Sequence, residues 1–392
     1  MNRRQAARQR AAVLTAVAIV AGAATIPARQ GGFNAHDDYT EYHLLDPASH
    51  QFHIVYYLNQ RQAGATTLLN QTRSGSEGSD ISVSDPQTGT PLKFEYKTGA
   101  ELNAAGESGR LTAEEHYIRA FLPRPVPEGG EGRVRIEKTY LDEKSYYAQG
   151  EEIVFARSLG IARNAIVLPK GYVAASSNVA AQVSALPDGR VKMVFENING
   201  YASDVQIRGR RSGAAVAASL KVVERAFDFM KTLYDLGDPA THEVTVRHEY
   251  VETRVGPRST PEFLAHHTLS AVAVTDMDTG RALTPVQAGG AWTIPLVTPI
   301  ANDRQSAHLR IAGKERDANY RIEAGPAGQL AWQITVYEPR VTIVLPAGWE
   351  LTAASAPLTL ATGRDGRVTL QVYNSRLEPM AVAIRAVRPP RP

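Results

Sequence analysis

Residues 166–211 read IVLPKGYVAASSNVAAQVSALPDGRVKMVFENINGYASDVQIRGRR, and residues 343–388 read IVLPAGWELTAASAPLTLATGRDGRVTLQVYNSRLEPMAVAIRAVR. The two segments align at a constant offset of 177 without a gap over 46 positions, 14 of which are identical. Self-similarity held over such a length is a signature of repeated structure. We therefore predict that the chain contains one module twice.

The similarity between the two halves continues upstream of these segments. Two short motifs occur once in each half: DPASHQ (46–51) with DPATHE (238–243), and DPQTG (85–89) with DMDTG (276–280). The offset drifts slightly from motif to motif, as loop insertions and deletions between shared elements would make it do. We predict a first module over about residues 38–211 and a second over about residues 236–388.

Both modules have the sequence pattern of antiparallel strands. The runs VQIR at 205–208 and VAIR at 382–385 alternate apolar and other residues, which predicts strands with one buried face. We expect the apolar residues of both runs to face the cores, with Gln206 and Ala383 pointing outwards. Turn sequences such as LPDGR at 186–190 separate short runs of this kind, which indicates β-sandwiches.

One segment has a helical pattern instead. Residues 214–235 read AAVAASLKVVERAFDFMKTLYD. Apolar residues recur there at spacings of four and three: Val216, Leu220, Val223, Phe227, Met230 and Tyr234. This spacing predicts an amphipathic helix, so residues 212–235 are interpreted as a linker helix. The predicted fold is therefore all-β, with tandem duplicated β-sandwich modules joined by one amphipathic helix.

The first 28 residues have the pattern of a secretory signal peptide. Arginines at positions 3, 4, 8 and 10 precede the apolar run AAVLTAVAIVAGAATI at 11–26, and Ala21-Gly22-Ala23 offers a cleavage site. We therefore expect an exported protein, periplasmic or secreted. No later segment is apolar enough to cross a bilayer, so we expect no membrane span after cleavage of the signal.

The net charge argues against a nucleic-acid partner. The chain has 43 basic and 40 acidic side chains, and removal of residues 1–28 leaves 43 − 4 = 39 basic against 40 acidic residues, or about −1. A nearly neutral mature chain has no electrostatic footprint for nucleic acid. The chain has no cysteine, which excludes disulfides and thiolate chemistry.

Sequence patterns of common catalytic sites are missing. There is no Gly-x-Ser-x-Gly motif, and neither His242 nor His248 is followed by the second histidine of a zinc-peptidase helix. We predict no catalytic residue, no metal site and no cofactor. The glutamate pairs at 114–115 and 151–152 leave a glycoside hydrolase as an alternative, since such enzymes use two carboxyl groups.

A tyrosine- and lysine-rich stretch is the candidate contact surface. It contains Lys138, Tyr140, Lys144, Tyr146 and Tyr147. Tyrosine supplies a large contact area with little rotamer entropy to lose, which suits a binding face for a protein or glycan ligand. The competing interpretation is that these rings fill the interior of the first module.

Two resemblances accompany these patterns. The segment RNAIVLPKGY…DGRVKMVFEN, with the upstream RIEKTYLDEKSYY, resembles a family of uncharacterised exported bacterial β-proteins, which implies the fold but no activity. YHLLDPASHQFHIVY and YDLGDPATHEVTVRH look like the opening strands of the β-rich N-terminal domain of gluzincin aminopeptidases. The catalytic helix motif of that second family is absent, so the resemblance implies no catalytic residue here.

The sequence therefore favours an exported, non-enzymatic binding or scaffold protein of the cell envelope, with an unknown protein or glycan as its ligand. Two alternatives remain open at this point. One is a carbohydrate-active or other hydrolytic enzyme, and the other is an accessory protein that acts with a peptidase. An enzyme should show a concave site with converging polar groups, whereas a scaffold should present flat or edge-strand surfaces.

Overall fold

Short alternating runs form strands along most of the chain. The structure is a computed structural model that describes residues 38–72, 77–107, 111–197, 202–212, 219–259, 268–288, 291–323 and 328–389. The predicted signal peptide at 1–28 lies outside these residues. Strands dominate the described part, and the prediction of an all-β protein built from β-sandwich modules is confirmed.

The first module contains fourteen described strands and one short α-helix. The strands are β1 (Tyr39–Leu44), β2 (Gln51–Gln60), β3 (Thr67–Thr72), β4 (Glu77–Ser84), β5 (Phe94–Thr98), β6 (His116–Phe121), β7 (Gly132–Leu141), β8 (Tyr146–Gln149), β9 (Glu152–Leu159), β10 (Arg163–Val167), β11 (Tyr172–Ser177), β12 (Gln182–Ala185), β13 (Val191–Glu196) and β14 (Ser203–Arg211). Helix α1 spans Gly99–Ala104 and begins with a capping box between Thr98 and Glu101.

The second module contains fifteen described strands. They are β15 (Lys231–Leu236), β16 (Glu243–Glu252), β17 (Gly256–Ser259), β18 (Ser270–Asp276), β19 (Ala282–Leu283), β20 (Val286–Ala288), β21 (Ala291–Ile300), β22 (Ala307–Arg316), β23 (Arg321–Glu323), β24 (Gln329–Val336), β25 (Arg340–Val344), β26 (Glu350–Ala354), β27 (Leu358–Thr362), β28 (Val368–Tyr373) and β29 (Met380–Val387). Short 3-10 helices at Pro47–Ser49, Arg225–Phe229 and Pro239–Thr241 complete the described helices.

The two modules have the same strand order. The large sheet of the first module is β12-β13-β10-β1-β2-β7-β4, and that of the second is β27-β28-β25-β15-β16-β22-β18-β19. Smaller sheets also correspond: β11-β14-β9-β8 with β26-β29-β24-β23, and β3-β6-β5 with β17-β21-β20. Strand β19 at the edge of the second large sheet is the one addition among the described strands of the large sheets.

The pairing registers coincide as well. In the first module Tyr42 of β1 pairs in parallel with Ile166 of β10, and in the second Tyr234 of β15 pairs in parallel with Ile343 of β25. Both pairings therefore keep the offsets seen in the sequence, 192 for the first strand and 177 for the second. The segments that begin at Ile166 and Ile343 thus hold the same position in their sheets.

The irregularities of the sheets correspond in the same way. The pairing of β11 with β14 shifts between Ala174 and Ser176, and the pairing of β26 with β29 shifts between Leu351 and Ala353, which are the residues at an offset of 177. A bulge of this kind bends a strand locally and increases its twist. Both small sheets therefore have an irregularity at equivalent positions.

The inward faces are those that the alternation predicts. Val205, Ile207, Val382 and Ile384 are buried. Gln206 is exposed and Ala383 is half-buried. The predicted orientation of these two strands is confirmed.

The predicted linker helix over 212–235 is wrong in its described part. Arg225–Phe229 form a single short 3-10 helix, and Lys231–Leu236 form strand β15. β15 pairs with β16 on one side and with β25 on the other, and its side chains alternate between half-buried and buried. This pairing to distant strands outweighs the local helical spacing, so the second large sheet already begins at residue 231. Residues 213–218 lie outside the described residues.

No helix in the described ranges has the length and apolar character needed to cross a membrane. The apolar core of each module lies between its sheets. Each core draws side chains from the large sheet and from the smaller sheets of the same module.

Candidate functional site

The residues of the predicted contact surface do not form one surface. Lys138, Tyr140 and Tyr146 are buried, with relative exposures of 0%, 2% and 0%. Lys144 is exposed and Tyr147 is half-buried. The contact-surface hypothesis is therefore corrected for the three buried residues, because they belong to the interior of the first module.

Lys138 faces the interior because it lies on the same face of β7 as the core residues Ile136 and Tyr140. Its Nζ atom donates a hydrogen bond to Oδ1 of Asn70 at 3.1 Å. The same Nζ lies 4.7 Å from the ring centroid of Tyr56 and 5.1 Å from that of Tyr140. Burial penalises the ammonium form and lowers the pKa of Lys138 to about 7. The lysine is thus a buried polar group of the core.

Tyr146 has a structural role that the sequence did not reveal. Its hydroxyl donates a hydrogen bond to the backbone carbonyl of Leu45 at 2.8 Å. Its own carbonyl accepts a hydrogen bond from Nδ1 of His50 at 2.9 Å. His50 ends the 3-10 turn with a φ of 54°, a left-handed conformation that the surrounding contacts must hold in place. The hydrogen bonds of Tyr146 and His50 therefore connect the turn between β1 and β2 to strand β8.

The second module repeats this arrangement. Tyr320 is fully buried, and its hydroxyl donates to the carbonyl of Gly237 at 2.5 Å. The carbonyl of Tyr320 accepts a hydrogen bond from Nδ1 of His242 at 2.6 Å, and His242 has a φ of 56°. The histidine of the DPA[ST]H motif is therefore a turn residue in both modules.

The glutamates of the two pairs are exposed or half-buried. Glu114 and Glu151 are exposed, whereas Glu115 accepts a hydrogen bond from Gln71. Glu152 accepts a hydrogen bond from Nη1 of Arg208 at 3.2 Å. In the part of the chain that the structure describes, no group of three or more metal-ligating side chains could hold a metal ion.

A polar cleft of about 490 Å³ opens on the second module. Its lining includes Glu315, Asp317, Trp332 and Tyr337. The indole Nε1 of Trp332 donates to Oδ2 of Asp317 at 2.8 Å, so that pair supports the cleft wall. Tyr337 is 40% exposed. An aromatic ring beside polar groups is a combination that can stack on a sugar.

The outward faces of the two large sheets lie against each other, and this contact was not predicted. An apolar cluster there combines side chains from both halves of the chain. Its members are Tyr39, Val55, Tyr57, Ala165 and Val194 with Phe229 and Val251. Phe229 ends the short 3-10 helix Arg225–Phe229, whereas the other members lie in strands and alternate there with residues of the module cores. Because of this alternation, sequence periodicity gave no signal for the contact.

A buried ion pair crosses the contact between the modules. Nε and Nη2 of Arg133 donate to the two carboxylate oxygens of Asp278 at 2.6 and 2.7 Å. Nη1 and Nη2 of Arg133 also donate to the hydroxyl and the carbonyl oxygen of Ser306, each at 2.9 Å. Burial opposes the charged guanidinium, but the Asp278 carboxylate raises the pKa of Arg133 above its ordinary value. The guanidinium is therefore charged and has several partners within a buried contact.

A second group of charges lies on the same contact. Glu249 on the second module accepts a hydrogen bond from Nη2 of Arg310 at 2.8 Å and forms an ion pair with Lys231. Nη2 of Arg61, on the first module, lies 3.6 Å from Glu249 and 3.7 Å from Glu131. Arg61 thus contacts carboxylates of both modules. Networks of this kind contribute more than isolated surface pairs do.

Backbone hydrogen bonds connect the modules reciprocally. The N–H of Glu131 donates to the carbonyl of Met277 at 2.9 Å, and the N–H of Ser306 donates to the carbonyl of Pro86 at 2.7 Å. Glu131 and Ser306 hold equivalent positions, and so do Pro86 and Met277. Each module therefore inserts its D-x-x-T-G turn against the same site of the other module, as in an isologous dimer.

Comparison with known proteins finds only weak structural similarity. No family model and no curated protein matches the chain. Among solved structures, the chain is similar to a crystal structure of an aminopeptidase N family protein from Idiomarina loihiensis, with 11% identity and a TM-score of 0.27. The likeness covers 44% of this chain and 29% of that chain, so this chain spans well under half the length of that protein.

These comparisons bear on the two sequence resemblances in different ways. The resemblance to uncharacterised exported β-proteins has no matching family model. The likeness to the aminopeptidase structure is weak and extends over less than half of the chain.

Proposed function

We propose that this protein is an exported, non-enzymatic binding or scaffold protein of the cell envelope. In this proposal residues 1–28 act as a cleaved signal, and the mature protein is periplasmic or secreted. Its two β-sandwich modules arise from one duplicated sequence and act together as a single body.

The observation that carries the proposal is the buried contact between the modules. The bidentate pair of Arg133 with Asp278 and the two reciprocal backbone hydrogen bonds fix one module against the other. A buried charge pair is weak evidence for stability, but its geometry selects one arrangement over others. A fixed arrangement of two modules is what a scaffold needs in order to hold a ligand at a set place.

Two of the titratable groups with shifted pKa values, Lys138 and Tyr146, have structural roles. Lys138 points into the core and donates to Asn70. The pKa of Tyr146 is raised because its hydroxyl is buried, and that hydroxyl donates to a backbone carbonyl. Shifted groups mark a catalytic site only where they line a cleft. Here both take part in internal hydrogen bonds instead.

Ligand screening with parallel chemical analysis tests this proposal. The protein without residues 1–28 is immobilised and probed with a glycan array and with the solubilised envelope of the producing cell. We expect saturable binding of one ligand class, recovered chemically unchanged by mass spectrometry. The Asp278→Ala variant, in which the module contact is loosened, should bind more weakly.

Two results would contradict the proposal. Cleavage of a bound glycan or peptide in the course of the assay would establish a hydrolytic enzyme instead. Retention of the protein in the cytoplasmic fraction with residues 1–28 uncleaved would exclude a role in the envelope.

A further inference from the structure

The edge of the large sheet in the first module is covered by the protein's own chain. The N–H of Ala185, the last residue of β12, donates to the carbonyl of Lys221 at 2.9 Å. The N–H of Val223 donates back to the carbonyl of Ala185 at 3.4 Å, and Ala185 and Val222 form a parallel bridge. Val222 therefore forms an isolated parallel bridge with the outer side of β12, flanked by these two backbone hydrogen bonds.

The corresponding edge in the second module is β27. Leu360 of β27 pairs with Leu370, as Val183 of β12 pairs with Met193. This register makes Thr362 the equivalent of Ala185. Within the described ranges, no segment pairs with the outer side of β27, and no backbone hydrogen bond outside the sheet ladder involves Thr362.

The backbone of β27 is oriented to accept a strand. In an antiparallel pair, the N–H and C=O of one residue point to the same side, and successive residues alternate sides. Ala185 directs both groups away from β13, so Thr362 at the same register directs both away from β28. Leu360 lies two residues earlier on the same strand and is 58% exposed. Exposed edges of this kind are templates for pairing with another chain.

We propose that the outer edge of β27 binds an extended segment of a partner polypeptide in parallel orientation. The segment pairs with Thr362 through two backbone hydrogen bonds and carries apolar side chains at alternate positions. This inference rests on the proposed binding role and specifies the surface through which that role is exerted. Strand addition of this type takes its affinity from the main chain and its specificity from alternate side chains.

The covering segment in the first module identifies the chemistry of the occupant. Leu220, two residues before the bridging position, packs against the core of the first module. Val179 and Ala181 pack against the same core as Leu220, and their equivalents Ala356 and Leu358 are half-buried against the second core. We therefore expect the occupant of β27 to carry an apolar side chain two residues before its bridging residue.

The parallel orientation argues against a second copy of this chain as the occupant. Two identical edge strands related by a two-fold axis run antiparallel to each other. The equivalent edge of β12 instead pairs in parallel. A distinct extended segment with the pattern apolar–polar–apolar, as in Leu220-Lys221-Val222, therefore fits β27 better.

A peptide with the protein's own covering sequence tests this inference. The probe is a fluorescein-labelled, C-terminally amidated peptide of residues 218–225, ASLKVVER, titrated with the purified protein and followed by fluorescence anisotropy. We expect saturable binding. The Thr362→Pro variant should weaken it by about five- to thirteen-fold, because proline removes an N–H donor whose hydrogen bond contributes about 1–1.5 kcal/mol. Thr362→Ala keeps the N–H and should bind as the wild type does.

A change in the peptide alone provides a test that does not depend on folding of a variant. N-methylation at the position of Val223 removes the donor that bonds to the edge carbonyl and should weaken binding by a similar factor. Equal binding of both peptides, or equal binding by Thr362→Pro protein of unchanged thermal stability, would overturn the inference. So would concentration-dependent dimerisation that Thr362→Pro abolishes, because a second copy would then occupy the edge.

The edge inference and the proposed function can fail separately. If the peptide does not bind while the immobilised protein still binds a glycan or an envelope protein, the inference about β27 is wrong and the binding role stands. If the peptide binds at Thr362 but the protein hydrolyses a ligand, the edge is a docking surface of an enzyme.

Discussion

Arg133 of the first module and Asp278 of the second form a bidentate ion pair at 2.6 and 2.7 Å across the contact between the modules. Both side chains are more than nine-tenths buried. Loss of one partner leaves the other charge buried and unpaired from its counter-ion. Removal of one partner therefore lowers the free energy of unfolding more than replacement of the whole pair by neutral residues would.

Arg133→Ala and Asp278→Ala should each lower the free energy of unfolding by about 3–5 kcal/mol. The double variant should lose less than the sum of the two, because removal of both charges leaves neither unpaired. Urea unfolding followed by circular dichroism gives these values. The exposed pair of Lys314 with Glu243 serves as a control, and Lys314→Ala should cost less than about 1 kcal/mol. Losses of that small size at Arg133 and Asp278 would show that the contact is open to water.

The buried Lys138 should make stability depend on pH in the alkaline range. Its pKa is lowered from 10.5 to about 7 in the folded protein by burial. Between these two values the unfolded chain binds more protons than the folded one, so stability rises as pH rises. Below about pH 7 the buried Lys138 is protonated in the folded protein, and the burial of its charge lowers the free energy of unfolding by its full amount.

We expect the free energy of unfolding to rise by about 2–3 kcal/mol from pH 7 to pH 9.5 on account of Lys138. Lys138→Met removes the titrating group and should abolish this rise. The range stops at pH 9.5 because buried tyrosines such as Tyr39 have raised pKa values, and their contribution is lost at higher pH. An identical pH dependence in the wild type and the variant would show that Lys138 is solvated.

The tyrosines at the corresponding turns should have similar energetic roles. Tyr146→Phe and Tyr320→Phe each remove one hydrogen bond to a backbone carbonyl and should each cost about 1–1.5 kcal/mol. Tyr147→Phe, at a half-buried neighbouring position, should change stability by less than about 0.5 kcal/mol. Chemical denaturation of the three variants provides the comparison. A large loss at one turn and none at the other would mean that the modules use the motif differently.

Truncation on the inward face tests the alternation that defines the small sheets. Ile207→Ala should cost about 2–5 kcal/mol because it leaves a cavity in a buried site. Gln206→Ala, one residue away on the exposed face, should stay within about 0.5 kcal/mol of the wild type. Comparable losses at the two positions would contradict the assigned register.

The sequence could predict the strands and their inward faces because both depend on local alternation. Ile207 and Ile384 were placed correctly for this reason. The segment around Tyr234 was predicted as a helix, although it forms strand β15. Its apolar residues have helical spacing over the longer segment, but the last few residues also alternate as in a strand. Its strand state depends on parallel pairing with Ile343, more than a hundred residues away, which no local pattern records.

The candidate site was harder to predict for a similar reason. Lys138 and Tyr146 carry polar groups, which usually indicates a position on the surface. Their burial depends on partners brought in by other strands, such as Asn70 for the lysine and Leu45 for the tyrosine. The ion pair of Arg133 with Asp278 joins residues 145 positions apart, so the local spacing of residues could not predict it.

The most direct test of a fixed two-module scaffold is a distance measurement between the modules. The chain has no cysteine, so Glu151→Cys in the first module and Glu350→Cys in the second provide two unique, exposed sites for spin labels. Pulsed electron paramagnetic resonance should give one narrow distance distribution, and the distribution should broaden when Asp278→Ala is added. A broad distribution with Asp278 intact would contradict the account, because the modules would then move independently.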